Sequence, residues 1–279
     1  KPAAPIRGLQ GRLAMLSRQS RQDLQGVGQT TSKIGAAILA TVGAVTAGAV
    51  AQRGTTQDAL NELESLGVKK LEMLRQTAVN FSDDWSKIGR VEFLKSAYDI
   101  KSGIESLSDD GVAATTTMAA LTAKATKGMV LQLGKTFATG HGIYRKFFKS
   151  DEQFAEQFGA GIAAATKAFK TDGDKMARAI SGLGASASVA NVPLNEQLAI
   201  LGMLQQTMEP SQAGTAYRAF MDSLGKVTKS TGQRFVDAAG NAMPMTQILE
   251  KFQTALENAP DKAEAWVQIT EAFGREEAV

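Results

Sequence analysis

An interior that must be assembled from alanine, leucine and methionine, with few rings, strongly limits what this chain can fold into. Hydrophobic residues make up 43% of its 279 positions but aromatic ones only 6%. Sandwiches and barrels draw on aromatic side chains to fill their sheets, whereas small and unbranched side chains favour helices that approach one another closely. The expected class is therefore mainly α, a multi-helix assembly. The length allows one or two domains with a core.

The apolar spacing supports helices along most of the chain. Leu60, Leu63, Leu66, Leu71 and Leu74 fit one helical face, and Phe154, Phe158 and Ile162 recur every four residues. Ser82-Asp83-Asp84 reads as a break and cap. Further helices are expected to start at Ser108-Asp109-Asp110, Ser150-Asp151, Thr171-Asp172 and Pro193, where a capping residue or a helix-initiating proline precedes an apolar run. One segment departs from this pattern. Between Arg234 and Pro244, apolar residues flank Gly240-Asn241 and a proline ends the unit, so one short β-hairpin is expected near 234–244. A helical pair near 245–257 and 261–273 is expected to follow.

Charge divides the chain. Residues 1–56 carry Lys1, Arg7, Arg12, Arg18, Arg21, Lys33 and Arg53 against Asp23 alone, a net +6 in a chain of net +3, which leaves the remainder near −3. A basic N-terminal arm (1–33) ahead of a slightly acidic body does not suit a uniformly basic nucleic-acid binder, and no specific nucleic acid is expected as partner. Residues 34–54 form an apolar Ala/Gly-rich helix, a candidate membrane segment whose stretch 34–51 just reaches spanning length. Only Ile34, Ile38, Leu39, Val42, Val45 and Val50 in it are strongly apolar. Ala36, Ala40, Ala44 and Gly48 fall every four residues and make a smooth stripe suited to self-association. Ala49-Val50-Ala51 imitates a signal-peptide cleavage site, but more than thirty residues precede the apolar run. Lys1 in first place and an uncapped end at Ala272–Val279 suggest a segment of a longer chain, with residues 55–279 as a helical region incomplete at its C-terminus.

Catalytic constellations fail on spacing or on missing partners. There is no cysteine and a single histidine, His141, which rules out thiol dyads and cysteine–zinc sites and leaves the redox compartment open. Between Gly140 and Gly142, His141 reads as a loop residue. Gly134-Lys135-Thr136 follows Gly128 by five intervening residues where a phosphate loop needs four, and a helical run from 112 to 127 stands where a strand should be. Gly159-Ala160-Gly161 imitates a dinucleotide loop but lies inside the Phe154-Phe158-Ile162 periodicity, which favours close helix packing. The doublets Asp83-Asp84 and Asp109-Asp110, and Asp172-Gly173-Asp174, lack a bidentate glutamate at loop spacing and are read as caps. No catalytic residue, cofactor or metal is expected, and the chain is not expected to be an enzyme.

Residues 181–279 then present a specific order of elements. Ser181 to Ala187 form a glycine/alanine helix, Val192-Pro193-Leu194 to Gly202 a second, and Glu209-Pro210 through Ala213-Gly214 to Arg218 and Phe220 a third that closes at Leu224. The 234–244 hairpin, a helix from Met245 to Leu256 and Phe273-Gly274 follow. In order and spacing this resembles the core region of bacteriophage tail tape measure proteins, clearly over about a third of the chain and more loosely over 57–180. It departs from that pattern at Thr207-Met208-Glu209-Pro210, where many relatives carry a glycine. Ala213, Gly214, Arg218, Gly240, Asn241, Phe273 and Gly274 are the residues carried over as fold motif. Gly214 would allow close helix approach, and Gly240-Asn241 would supply turn geometry.

The resemblance implies a structural protein of the virion that occupies the tail lumen, scaffolds tail tube assembly and length, and is released at DNA ejection. Its implied partners are copies of itself, as a trimer or other homo-oligomer, the tail tube and baseplate hub proteins, and the host membrane and envelope during ejection. The alternative is a membrane-active helical toxin or translocator, which shares helical bundles and an apolar segment but is not expected to carry the 209–224 and 234–244 elements in this order.

Overall fold

The computed structural model describes residues 53–261 and Glu264, except residues 86–87, 232–233, 238 and 240. Within them the chain forms α1 (Arg53–Ser65), α2 (Leu71–Asp84), α3 (Arg90–Gly103), α4 (Asp109–Thr126), α5 (Val130–Tyr144), a 3-10 turn (Arg145–Phe147), α6 (Asp151–Phe169), α7 (Gly173–Leu183), the one-turn α8 (Ser186–Val189), α9 (Leu194–Leu204), α10 (Pro210–Thr231) and α11 (Met245–Asn258). No helix among the described residues is long and apolar enough to cross a membrane. The candidate membrane segment, with Ala36, Ala40, Ala44 and Gly48, lies outside the described residues.

Local chemistry sets the helix boundaries. Ser108 and Ser150 accept the backbone N–H groups of Gly111 and Gln153, and Asp172 accepts that of Lys175, so each satisfies a donor that the first helical turn leaves free. Pro193 and Pro244 occupy the same position before α9 and α11. The leucine periodicity from 60 to 74 is not one helix. Gly67 takes φ +81 between α1 and α2, and the Gly67 and Val68 N–H groups close the end of α1. Ser82-Asp83-Asp84 proves to be the last turn of α2 and not a cap.

The helices stack in two rows. α1, α3, α5, α7 and α10 pack each on the next, and α2, α4, α6 and α9 do the same beside them. Row-one helices begin at residues 53, 90, 130, 173 and 210 and row-two helices at 71, 109, 151 and 194, so a two-helix unit occupies 37 to 43 residues. Members of a row run parallel. Ser96 and Gly103 of α3 face Gly134 and Ala138 of α5, and Gly161 and Phe169 of α6 face Leu198 and Gly202 of α9. This is the arrangement of a helical-repeat stack, in which each unit buries its apolar face only against its neighbours. α4 and α6 even end alike: Lys127 (φ 56) and Lys170 (φ 51) adopt the left-handed conformation, and Gly128 and Thr171 donate back to Ala123 and Thr166.

The expected β-hairpin is not formed as strands. Among the described residues there is no strand, only one isolated antiparallel bridge between Val236 and Ala242. Asp237 N–H donates to Asn241 O (2.8 Å) and Met243 N–H to Phe235 O (3.0 Å), and there the pairing stops. The Asp237 carboxylate takes the Ala239 and Asn241 N–H groups, a side-chain closure that competes with a ladder. Ala242 N–H turns away to Ala190 O, and Pro244 leads into α11.

Rings are concentrated where α5 meets α6. Phe158 lies 5.1 Å from Phe137, 5.2 Å from Phe154 and 5.6 Å from Tyr144, all fully buried. Phe158→Ala is expected to cost about 3–5 kcal/mol of unfolding free energy, measured by urea denaturation. A loss under about 1 kcal/mol would mean that this cluster does not anchor the stack.

Candidate functional site

A close helix crossing joins α7 to α10. Gly182 and Gly214 face each other there, and a methyl group on Gly214 would meet the Ala179 carbonyl oxygen, the Leu183 nitrogen (2.8 Å) and the Gly182 Cα (2.9 Å). All three are backbone, so neither helix can yield by rotating a side chain. Ala213 is fully buried beside the crossing, Tyr217 follows one turn later, and Arg218 is exposed. α10 runs on past Leu224 to Thr231. Asn241 sits in the turn before α11, where it donates to Asp237 Oδ2 (2.9 Å) and accepts from Asn191. Gly240, Phe273 and Gly274 lie outside the described residues.

The glycines that imitate nucleotide loops also serve helix contact. Gly134 of Gly134-Lys135-Thr136 abuts the Ser96 hydroxyl on α3, and a Cβ on Gly159 would press on Thr122 of α4 and on Phe137. Gly161 meets Leu198 of α9.

A buried polar seam ties three parts of the stack. Tyr144 donates to Gln197 Oε1 (3.0 Å), and Gln197 Nε2 donates to Ser188 Oγ (3.2 Å) and to Val192 O (2.7 Å). Tyr144, Gln197 and Ser188 are all within 1% of full burial. Burial pushes the Tyr144 hydroxyl up to about 12, with Ser188 acting the other way. It therefore keeps its proton and acts as a fixed donor.

His141 is not in a loop. It lies in the last turn of α5, where Nε2 is 2.9 Å from Asp151 Oδ1 and the ring meets Phe154 edge-on. Arg145 pairs with the same carboxylate and donates to Phe148 O (2.7 Å). Partial burial acts to raise the Asp151 carboxyl, but the hydrogen bonds and charges of His141 and Arg145 outweigh it and hold the group below the usual carboxylate range. The cluster clasps α5 to the start of α6.

Several acidic groups outside that clasp close helix ends between units. Asp109 on α4 accepts the Lys69 and Lys70 N–H groups at the start of α2 (3.0 and 2.8 Å), while Asp110 pairs with the Lys70 side chain. Asp174 on α7 accepts Met129 N–H at the start of α5 (2.9 Å). Glu196 on α9 accepts Met245 N–H at the start of α11 (2.7 Å). In all three a first-turn carboxylate satisfies a free donor of a neighbouring helix. Sequence reasoning read Asp109, Asp110 and Asp174 as caps of their own helices, made nothing of Glu196 and missed the links, which span 39 to 49 residues. No group of three or more potential metal ligands occurs among the described residues.

These features define a helical structural domain whose special residues serve contact between helices. The chain belongs to the phage-related minor tail protein family, whose model matches residues 75–274, from the middle of α2 onward. It is thus a structural protein of a phage tail, associated with the virion and with other tail components. No curated protein and no solved structure matches the chain.

Gly214→Ala is expected to lower stability by about 1–3 kcal/mol through overpacking against backbone. Gly142→Ala, with nothing within 4 Å of the added methyl, should raise it by about 0.5–1 kcal/mol. Urea denaturation of the pair checks both signs. Because the folded-state pKa of Asp151 lies below its unfolded value, its stabilisation is present above about pH 4 and is lost as pH falls through the folded value. Asp151→Asn should therefore reduce stability at pH 7 and weaken its decline in acid, read from melting curves across pH.

Proposed function

We propose that this chain is the folded core of a tail tape measure protein, a non-enzymatic element that occupies the tail lumen as a homo-oligomer, scaffolds tube assembly and leaves at DNA ejection. The observation that carries the reading is the family match over residues 75–274. Further support comes from the order of elements, from the Gly182–Gly214 crossing to the Asp237–Asn241 turn and α11. The non-catalytic part of the proposal rests on how the candidate motifs are used. The Gly134 and Gly159–Gly161 segments are filled by helix contacts, His141 is engaged by Asp151, and the acids close helix ends.

Length control is assigned to extended helical parts of the full-length protein, since a folded stack is a poor ruler. In-frame deletions in those parts, outside 75–274, should shorten tails by about 1.5 Å per residue removed, measured by electron microscopy of virions. Tails of parental length across a series of growing deletions would rule the reading out.

A further inference from the structure

Charge is unevenly spread along the stack. From residue 111 to 150 the chain carries Lys124, Lys127, Lys135, Arg145, Lys146 and Lys149 and no aspartate or glutamate, and from 157 to 171 it carries Lys167 and Lys170 and again no acid. Four of these lysines form two pairs in equivalent places. Lys124 and Lys167 stand in the last turns of α4 and α6, and Lys127 and Lys170 are the left-handed residues that follow. Lys127, Lys167 and Lys170 are exposed and Lys124 is half-buried.

The fold brings both pairs to one edge. α4 packs along α6, and a methyl group on Gly128 would lie 3.2 Å from Gly173 Cα, so the turn after Lys127 rests on the turn after Lys170. The two acids between Lys170 and Arg178 are engaged there. Asp172 accepts Lys175 N–H (2.8 Å) and pairs with its ammonium (3.3 Å), and Asp174 accepts Met129 N–H (2.9 Å).

A lysine in the last turn complements the helix macrodipole, which accounts for Lys124 and Lys167 without any ligand. It does not account for Lys127 and Lys170. Glycine adopts the left-handed conformation at a helix end at lower cost than lysine, yet both units place lysine there. Strain that recurs under an exposed charge points to a use for the charge.

We propose that the edge formed by Lys124, Lys127, Lys167 and Lys170 binds the phosphate backbone of a nucleic acid duplex without reading its sequence. Packed parallel helices lie about 8–10 Å apart, so the two pairs are spaced to meet phosphates on either side of a groove about 6–12 Å wide. The exposed apolar side chains beside them, Met129 and Leu131, are too few for insertion into a lipid surface. The inference rests on the helical stack and not on the tape measure reading.

Fluorescence anisotropy of the full 279-residue chain with two short duplexes of unrelated sequence tests it. Lys127→Gly combined with Lys170→Gly should weaken binding to both duplexes equally and reduce the slope of log affinity against log salt by about 2. The same pair should raise the urea midpoint, because it relieves the left-handed strain. Lys127→Arg combined with Lys170→Arg keeps charge and strain and should bind as the parent does. Absence of binding by the parent at low salt overturns the proposal. Unchanged affinity and salt slope in the glycine pair do so too, since the basic residues 1–33 would then carry the binding. An equal loss in the arginine pair would assign the effect to the shape of the turns and reject the charge. A glycine pair that loses binding only to vesicles of phosphatidylserine and phosphatidylcholine overturns the proposal in favour of a membrane surface.

Discussion

Each two-helix unit presents an apolar face that only the next unit can cover, and the rest of the structure follows from that dependence. α3 buries Phe93, Leu94, Ala97 and Ile100, yet its length cannot enclose them. Closure comes from α1 on one side and α5 on the other. The approach must be close because the facing side chains are small: Gly134 meets Ser96, Gly103 meets Ala138, and Gly182 meets Gly214. Close approach increases dispersion contact per helix turn, which compensates for the shortage of rings. It also leaves no tolerance for an extra methyl at the crossings.

Close packing fixes how far apart the rows lie, but it does not by itself fix how far one helix slides along another. The carboxylate links do that. Asp109, Asp174 and Glu196 each reach the first free N–H groups of a neighbouring helix, so a shift of one turn would leave both a carboxylate and a backbone donor unmatched. Register is thus set at helix ends by directional bonds, and separation in the middle by glycine and alanine. The two devices are complementary, since one resists sliding and the other resists compression.

Much of this was legible in the sequence, and the illegible part has a physical cause. Ser108, Ser150, Asp172 and Pro193 marked helix starts because capping is local: donor and acceptor lie three residues apart. Phe154, Phe158 and Ile162 marked a buried face for the same reason. The period of 37 to 43 residues was not visible, because equivalent positions share geometry and not side chains; α4 turns Val112 and alanines inward where α6 turns Phe154 and Phe158. Phe137 and Phe158 fill one joint, and alanine and threonine fill the previous one. His141 was misplaced because flanking glycines suggest a loop when seen alone, whereas here Gly140 leaves room for the Phe158 ring. The hairpin was overcalled for a related reason. Gly240-Asn241 indicates a turn, but the alternative bonding of Asp237 and the pull of Ala190 on Ala242 are tertiary facts.

A stack of this kind distributes its stability along the chain. In a domain with a single central core, removing any element exposes the whole, and unfolding is close to all-or-none. Here the loss of an end unit exposes one interface and leaves the remaining ones intact, so the cost of opening is set by neighbours and not by the total. The α5–α6 joint, with its ring cluster, the His141–Asp151–Arg145 clasp and the Tyr144–Gln197 seam, is the most heavily cross-linked region. Opening from the middle is opposed by the fold, since an α5 that left first would have to break seams with α3, α4, α6 and α7 together.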